Sequence, residues 1–431
     1  MDFPPDDKHL SFMQWALSVG VTIEGIAPAR IPGRRLGMIA TRMIEEGEVI
    51  LTVPLAEMLT VDSIPASFVA RFPDGTPVHA ILAAFLMYGD AHILTKWTAW
   101  YTVWPSRDEF EECMPILWTD SSQSKSSLQS ILPPSVSGRW NSLRKKRGWD
   151  THPYETRYQN LLGQQEERLE RCWKVIGSVF PEADWDAFSY YWLIVNTRSF
   201  YYVMPGMNPP EDWNDALALV PFADYFNHDD DADCEVLFDG KQYTFKAMRR
   251  FDEGEEIYMS YGAHSNDFLF VEYGFYLEHN ESDAVYLDDI IFKDLTLSEK
   301  KELDAHDYYG NYQITSTGPC PRTAAAASIK YMKQKEWREY VLGSNEEGGH
   351  DPDRSATIIR GWVEVYLKEC NTTIGIIEEM LAKEKSPPST ESNEDQHERM
   401  ATVLRRWVQI KSLCEAALRS SGSSGESQDS E

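Results

Sequence analysis

Basic residues are scarce in this 431-residue chain: 41 Lys and Arg stand against 69 Asp and Glu, a formal net charge of −28. Such a surface repels phosphate, which argues against direct binding to nucleic acid and suits a basic protein partner. Long apolar runs are also missing, and none approaches the ~18 residues a membrane span needs. The opening MDFPPDDKHL is acidic and has no apolar core, so an intracellular setting, cytoplasm or nucleus, is expected rather than secretion. The six cysteines (Cys113, Cys172, Cys234, Cys320, Cys370, Cys414) stand far apart, with no Cys-x-x-Cys pair and no Cys/His cluster at zinc spacing. Free thiols and no metal are the expectation.

What is present reads as a globular protein, 42% hydrophobic and 12% aromatic, long enough for two or three domains and expected to be monomeric. An amphipathic helix is expected over Lys8–Val19, then strands at Val21–Ala27, Gly37–Thr41 and Val49–Val53. From Pro77 to about Phe200 the pattern turns helical, with helices at Val78–Tyr88, Gln164–Val179 and Trp185–Phe200, the last capped by Asp184. This block also holds a Ser-rich loop at Ser121–Ser127 and a basic patch at Arg144–Arg147. Cys234–Phe238 and Lys241–Ala247 form a hairpin through Asp239-Gly240, read as a type I′ turn. A short aromatic strand follows at Ile257–Tyr261. After Asp288 helices are expected at Leu297–Asp304, Thr323–Lys333, Asp353–Lys368, Thr373–Lys385 and His397–Arg419, with a loop at Ser386–Glu398 and a disordered tail at Ser420–Glu431. One faint repeat is visible: Ile44–Ile50 and Phe251–Ile257 share an acid-acid-Gly-Glu turn before an apolar pair, which turn chemistry explains as well as common ancestry does.

Asn227-His228 ahead of a strand ending in Tyr261-Gly262, then Ser265-Asn266-Asp267 and Glu272-Tyr273-Gly274-Phe275, resembles the C-terminal half of a SET domain. The helical block resembles the insertion found in SET domains of the Rubisco large-subunit methyltransferase type. The resemblance implies an α+β fold with a pseudo-knotted site and an all-α C-terminal domain that presents substrate. It divides the chain into an N-terminal helix (1–20), a SET domain (21–262, with its helical insertion at about 77–195), a C-terminal flank (263–287), a helical domain (288–419) and the tail (420–431). The implied activity is methyl transfer from S-adenosylmethionine to a protein lysine, on a non-histone target such as a ribosomal protein or translation factor. The absence of cysteine-rich zinc segments, common beside histone-directed SET domains, agrees with that branch.

The resemblance assigns roles residue by residue. Arg35, Leu36 and Gly37 stand in the loop against the cofactor, where Arg35 replaces the first glycine of the family's Gly-x-Gly. Arg198, Asn227 and His228 also face the cofactor, and Tyr261 is the catalytic tyrosine. Phe200, Asp224, Tyr258, Tyr273 and Phe275 belong to the substrate channel. Other readings stay open. Histidine is an alternative target, and the missing glycine leaves room for a SET-like binding module of weak activity. His228-x-Asp230 with His264 or His279 matches the spacing of an iron oxygenase. The acidic run Asp229–Asp233 lacks the Gly and Glu that a calcium loop requires, so a solvated acidic turn is expected there.

Overall fold

The computed structural model describes residues 5–31, 36–118, 127–138, 159–343, 349–383 and 391–420. Arg35, the Arg144–Arg147 patch, nearly all of the Ser121–Ser127 loop and the tail beyond Ser420 lie outside them. The chain divides into two compact units, Met1–Glu109 with Glu166–Ala263, and Phe110–Gln165 with His264–Glu431.

The first unit opens with a helix over Asp7–Ser18, started by Asp6, whose carboxylate accepts the Lys8 and His9 amides. Its inner face buries His9, Phe12 and Ala16, spaced three and four apart as one helical stripe requires. The expected strand over Val21–Ala27 is instead two, β1 (Thr22–Ile23) and β2 (Ile26–Arg30). Gly25 divides them at φ +69°, against Arg42, whose Nε would lie 2.8 Å from an added Cβ. β3 (Leu36–Ala40), β4 (Val49–Pro54) and β5 (Leu59–Thr60) follow. The buried helix Val78–Tyr88 packs on helix Trp185–Arg198, with the His79 ring stacked on Trp192 at 4.4 Å. That second helix is capped by Asp184 as expected but ends at Arg198. Ser199–Tyr201 leaves it as strand β6, because these residues pair with β7 (Leu217–Leu219).

β8 (Asn227–His228), β9 (Cys234–Phe238), β10 (Gln242–Ala247) and β11 (Glu256–Met259) complete the unit. The hairpin is present, but its turn is centred on Gly240-Lys241. Gly240 alone of the turn takes positive φ, +89°, which is the II′ rather than the I′ pattern, and Asp239 Oδ1 accepts the Lys241 and Gln242 amides. The strands form sheets ordered β1-β4-β10-β9, β2-β3-β11-β8 and β5-β7-β6. In the second, β11 runs antiparallel to β3 and parallel to β8, so a late strand is inserted between segments from both halves of the unit. The faint repeat has a structural counterpart. Gly47 and Gly254 take φ +88° and +86°, Glu48 and Glu255 fold back onto the amides of Glu45 and Asp252, and Ile44 bridges Phe251.

The second unit is mainly helical, with a small sheet of Val285–Tyr286, Gln313–Thr315 and Gly318–Pro319. Two expected helices are one, Pro352–Lys383: nothing between Lys368 and Thr373 breaks the chain, and the buried stripe Tyr366, Cys370, Thr373, Ile377 runs through. The last helix starts at Glu391, within the expected loop, because Glu and Gln are good helix formers where no Pro or Gly intervenes. Its Arg406 is fully buried. Arg406 Nε donates to Asp267 Oδ1 at 2.7 Å, and its two terminal nitrogens donate to Asp283 at 2.7 and 3.0 Å. Ser135 also donates to Asp267, and Trp407 Nε1 to the Ile131 carbonyl at 2.7 Å, so three separated stretches (131–135, Asp267 and Asp283) meet at one helix.

Candidate active site

The short ladder of β8 on β11 sets Asn227 opposite Tyr258 and His228 opposite Met259. The expected strand to Tyr261 stops at Met259, and the chain then peels away. The Tyr261 amide, freed from the ladder, donates to His228 Nδ1 at 3.1 Å, while its ring stacks on the His228 imidazole at 5.0 Å. In that bond Nδ1 is the acceptor, and the Met259 carbonyl lies 3.4 Å from the same nitrogen. The Tyr261 hydroxyl donates to the Phe226 carbonyl at 2.7 Å. Burial pushes this phenol well above its usual range, so it stays protonated. With its proton committed to Phe226, the oxygen presents lone pairs.

Asn227 is a brace. Its two amide protons go to the Leu36 carbonyl at 2.9 Å and to Glu256 Oε1 at 2.8 Å, leaving its side-chain carbonyl for a ligand. Tyr258 donates to the other oxygen of Glu256. Gly37 lies against this cluster, where an added Cβ would sit 2.5 Å from Glu256 Oε1 and 2.8 Å from Asn227 Nδ2. A side chain at this position would have to push these groups aside.

Arg198, from the end of its helix, donates to the Asp224 carbonyl at 3.1 Å and approaches Asp224 Oδ2 at 3.4 Å. Trp100 Nε1 donates to the same oxygen at 3.0 Å. Burial raises the Asp224 pKa, opposed by Arg198 and the Trp100 donor. Among the described residues Arg198 Nε and Asp224 Oδ1 are buried with no hydrogen-bond partner. A buried polar atom without a partner calls for an explanation, and a bound ligand is one. Just before Asp224, the fully buried Phe222 holds φ +70°, a strained conformation for a bulky side chain. Phe200 meets Tyr243 and Phe245 edge-on, and Phe226 stacks on Phe245 at 5.3 Å, forming an aromatic bed under the Phe226 carbonyl.

Leu36, Gly37, Arg198, Phe200, Asp224, Asn227, His228, Tyr258 and Tyr261 thus all lie in the first unit. Tyr273 and Phe275 belong to the second, where they flank the Gly274 helix cap with rings 6.1 Å apart. Glu256 and Trp100 carry no signal in the sequence. Glu256 sits in a run of acids, and Trp100 in a run of aromatics, neither with a local signature. Among the described residues no three His, Cys, Asp or Glu side chains stand as a metal-binding group, and His228 Nδ1 is already an acceptor for the Tyr261 amide.

The SET-domain family model matches residues 35–262, more than half of the chain. A ribosomal lysine N-methyltransferase (set11) of Schizosaccharomyces pombe is 29% identical over 268 residues, 59% of each chain. The chain therefore spans about three-fifths of that relative's length. The human SET domain-containing protein 4 is 22% identical over 358 residues, 78% of this chain and 76% of its own. Among solved structures, Rubisco LSMT bound to AdoMet superposes with a TM-score of 0.57 at 16% identity, over 97% of this chain and 93% of that one. At that identity the likeness speaks for the fold.

Proposed function

Because the chain belongs to the SET-domain family, we propose that it transfers a methyl group from S-adenosylmethionine to a lysine of a basic, non-histone protein, with ribosomal proteins the first class to examine. The observation that supports this most is the joining of Asn227-His228 to Tyr261 across β8 and β11, with the Tyr261 proton directed to Phe226.

When bound, S-adenosylmethionine supplies an activated methyl on a sulfonium. The residues present fit such a group. Gly37 leaves room for close backbone approach, Asn227 offers its side-chain carbonyl, and Arg198 Nε and Asp224 Oδ1 are buried polar atoms without a partner among the described residues. A free Lys has a pKa of ~10.4, so an aromatic, water-poor channel that favours the neutral amine is part of the chemistry. The buried aromatics Phe200, Phe226 and Tyr243 form an apolar wall beside the Tyr261 phenol that suits such a channel. The Tyr261 oxygen accepts one N–H of that amine and so aims the nitrogen lone pair at the methyl carbon.

Labelled-methyl transfer into a cell extract, with mapping of the modified residue, tests the reading. Nε-methyllysine on a basic protein is the expected product; methylhistidine alone would overturn the lysine assignment. Gly37→Ala should weaken S-adenosylmethionine binding about tenfold in calorimetry, since the methyl must push aside a Glu256 held by both Asn227 and Tyr258. Unchanged affinity would show that the cofactor does not sit at this loop. The charge of −28 adds a second expectation: affinity for the target should fall steadily with salt, because exposed charges are screened beyond ~10 Å at 0.1 M. A target whose affinity ignores ionic strength would remove the electrostatic part of the reading.

A further inference from the structure

The helix Asp7–Ser18 lies outside the stretch matched by the family model, yet it packs directly on the turn that carries the site. His9 is 1% exposed, and its Nδ1 stands 2.6 Å from the Tyr225 hydroxyl. Phe12, fully buried, packs on Trp100, Phe222 and Tyr225 at 6.3, 5.9 and 5.8 Å between ring centres. Each partner is a part of the site's support. Trp100 donates to Asp224, Phe222 is the strained residue that starts the turn, and Tyr225 lies between Asp224 and the Phe226 carbonyl that receives the Tyr261 phenol.

The bland account is a core histidine satisfied by a neighbouring hydroxyl. Two observations go beyond it. A buried imidazole is expensive where Leu or Phe would fill the same space, and burial pushes its pKa down despite nearby Asp6, so its polarity is retained at a cost. Its short bond to Tyr225 also reaches the turn in which the bulky Phe222 holds φ +70°, a conformation that persists only where the surrounding structure restrains it.

We propose that His9 is a positioning residue for methyl transfer: by holding the Tyr225 hydroxyl it fixes the Phe222–Phe226 turn, and with it the Phe226 carbonyl that orients the Tyr261 phenol. This rests on the function proposed above, and the N-terminal helix thereby becomes a working part of the site. His9→Asn keeps a polar atom near the Nδ1 position, whereas His9→Leu removes it and fills the space. Tyr225→Phe removes the other partner.

The test has two arms. In the first, the full chain carries carbon-13 at the tyrosine Cζ, and the Tyr261 resonance is assigned by its loss in Tyr261→Phe. His9→Leu and Tyr225→Phe should both move that resonance, and His9→Asn should bring it back toward wild type. In the second arm, single-turnover transfer from tritiated S-adenosylmethionine to the extract proteins should fall about tenfold in His9→Leu, with cofactor affinity changed less than about twofold and partial rescue in His9→Asn. A Tyr261 resonance unmoved in both His9→Leu and Tyr225→Phe overturns the proposal. So does a shifted resonance with an unchanged transfer rate, or a His9→Asn variant no better than His9→Leu. Should His9→Leu fail to fold, Tyr225→Phe carries both arms. If wild-type protein labels nothing in the extract, the functional reading fails while the resonance still decides the coupling.

Discussion

Replacing Tyr261 by Phe should lower turnover about a hundredfold while leaving cofactor affinity and melting temperature nearly unchanged. The ring stays on His228, and the amide that bonds His228 Nδ1 belongs to the backbone, so neither depends on the hydroxyl. What disappears is one oxygen, and with it both the bond to Phe226 and the acceptor that holds the incoming amine. Loss of a positioning hydrogen bond at the transition state costs ~3 kcal/mol, which is the hundredfold. The Phe226 carbonyl would be left without this donor, a ground-state cost of about 1 kcal/mol that is small against the stability of the whole unit. Stopped-quench kinetics at saturating S-adenosylmethionine would read the effect. A Tyr261→Phe variant that transfers at the wild-type rate would make Tyr261 a packing residue and move the chemistry elsewhere.

The largest effect on stability is expected at Arg406. Arg406→Met removes the cation that Asp267 and Asp283 share in the interior of the second unit and leaves two buried carboxylates without it. Removing one partner of a buried ion group typically costs ~3–5 kcal/mol, a large share of a domain's whole stability. Urea unfolding followed by tryptophan fluorescence should show the loss, with Trp407 one residue away as a reporter. Adding Asp267→Asn and Asp283→Asn should recover part of it, because the penalty lies in uncompensated charge more than in lost contacts. A loss below about 1 kcal/mol in Arg406→Met would mean that water reaches the cluster and the burial is only apparent.

The sequence announces those parts of the site that are contiguous. Asn227-His228, the Asp239-Gly240 hairpin and the Tyr261-Gly262 terminus are each local signals, readable because turns and alternation are local chemistry. Residues that act across the fold are silent. Glu256 looks like one acid among several until β11 places its carboxylate between Asn227 and Tyr258. Trp100 and His9 are an aromatic in an aromatic run and a histidine in a helix, and only tertiary packing turns them toward the Phe222–Phe226 turn. The strand end at Met259 is hidden for the same reason: alternation continues to Tyr261, but the ladder partner, β8, is only two residues long. Helix boundaries differ from expectation where polar composition reads as a break, at Lys368–Thr373 and at Glu391.

The insertion of β11 between β3 and β8 bears on how the protein is made. Asn227 holds the Leu36 carbonyl from 191 positions later in the chain. At ~5–20 residues per second, a ribosome needs roughly 10–40 s to deliver one after the other. Throughout that interval β3 has β2 on one side and an open, apolar edge on the other, the arrangement most prone to wrong pairing. The edge closes only when Glu256–Met259 emerges and pairs with it. Shortened products that stop between Arg198 and Glu256 therefore contain Gly37 and Arg198 and yet no assembled site, and they carry the exposed edge for as long as they survive.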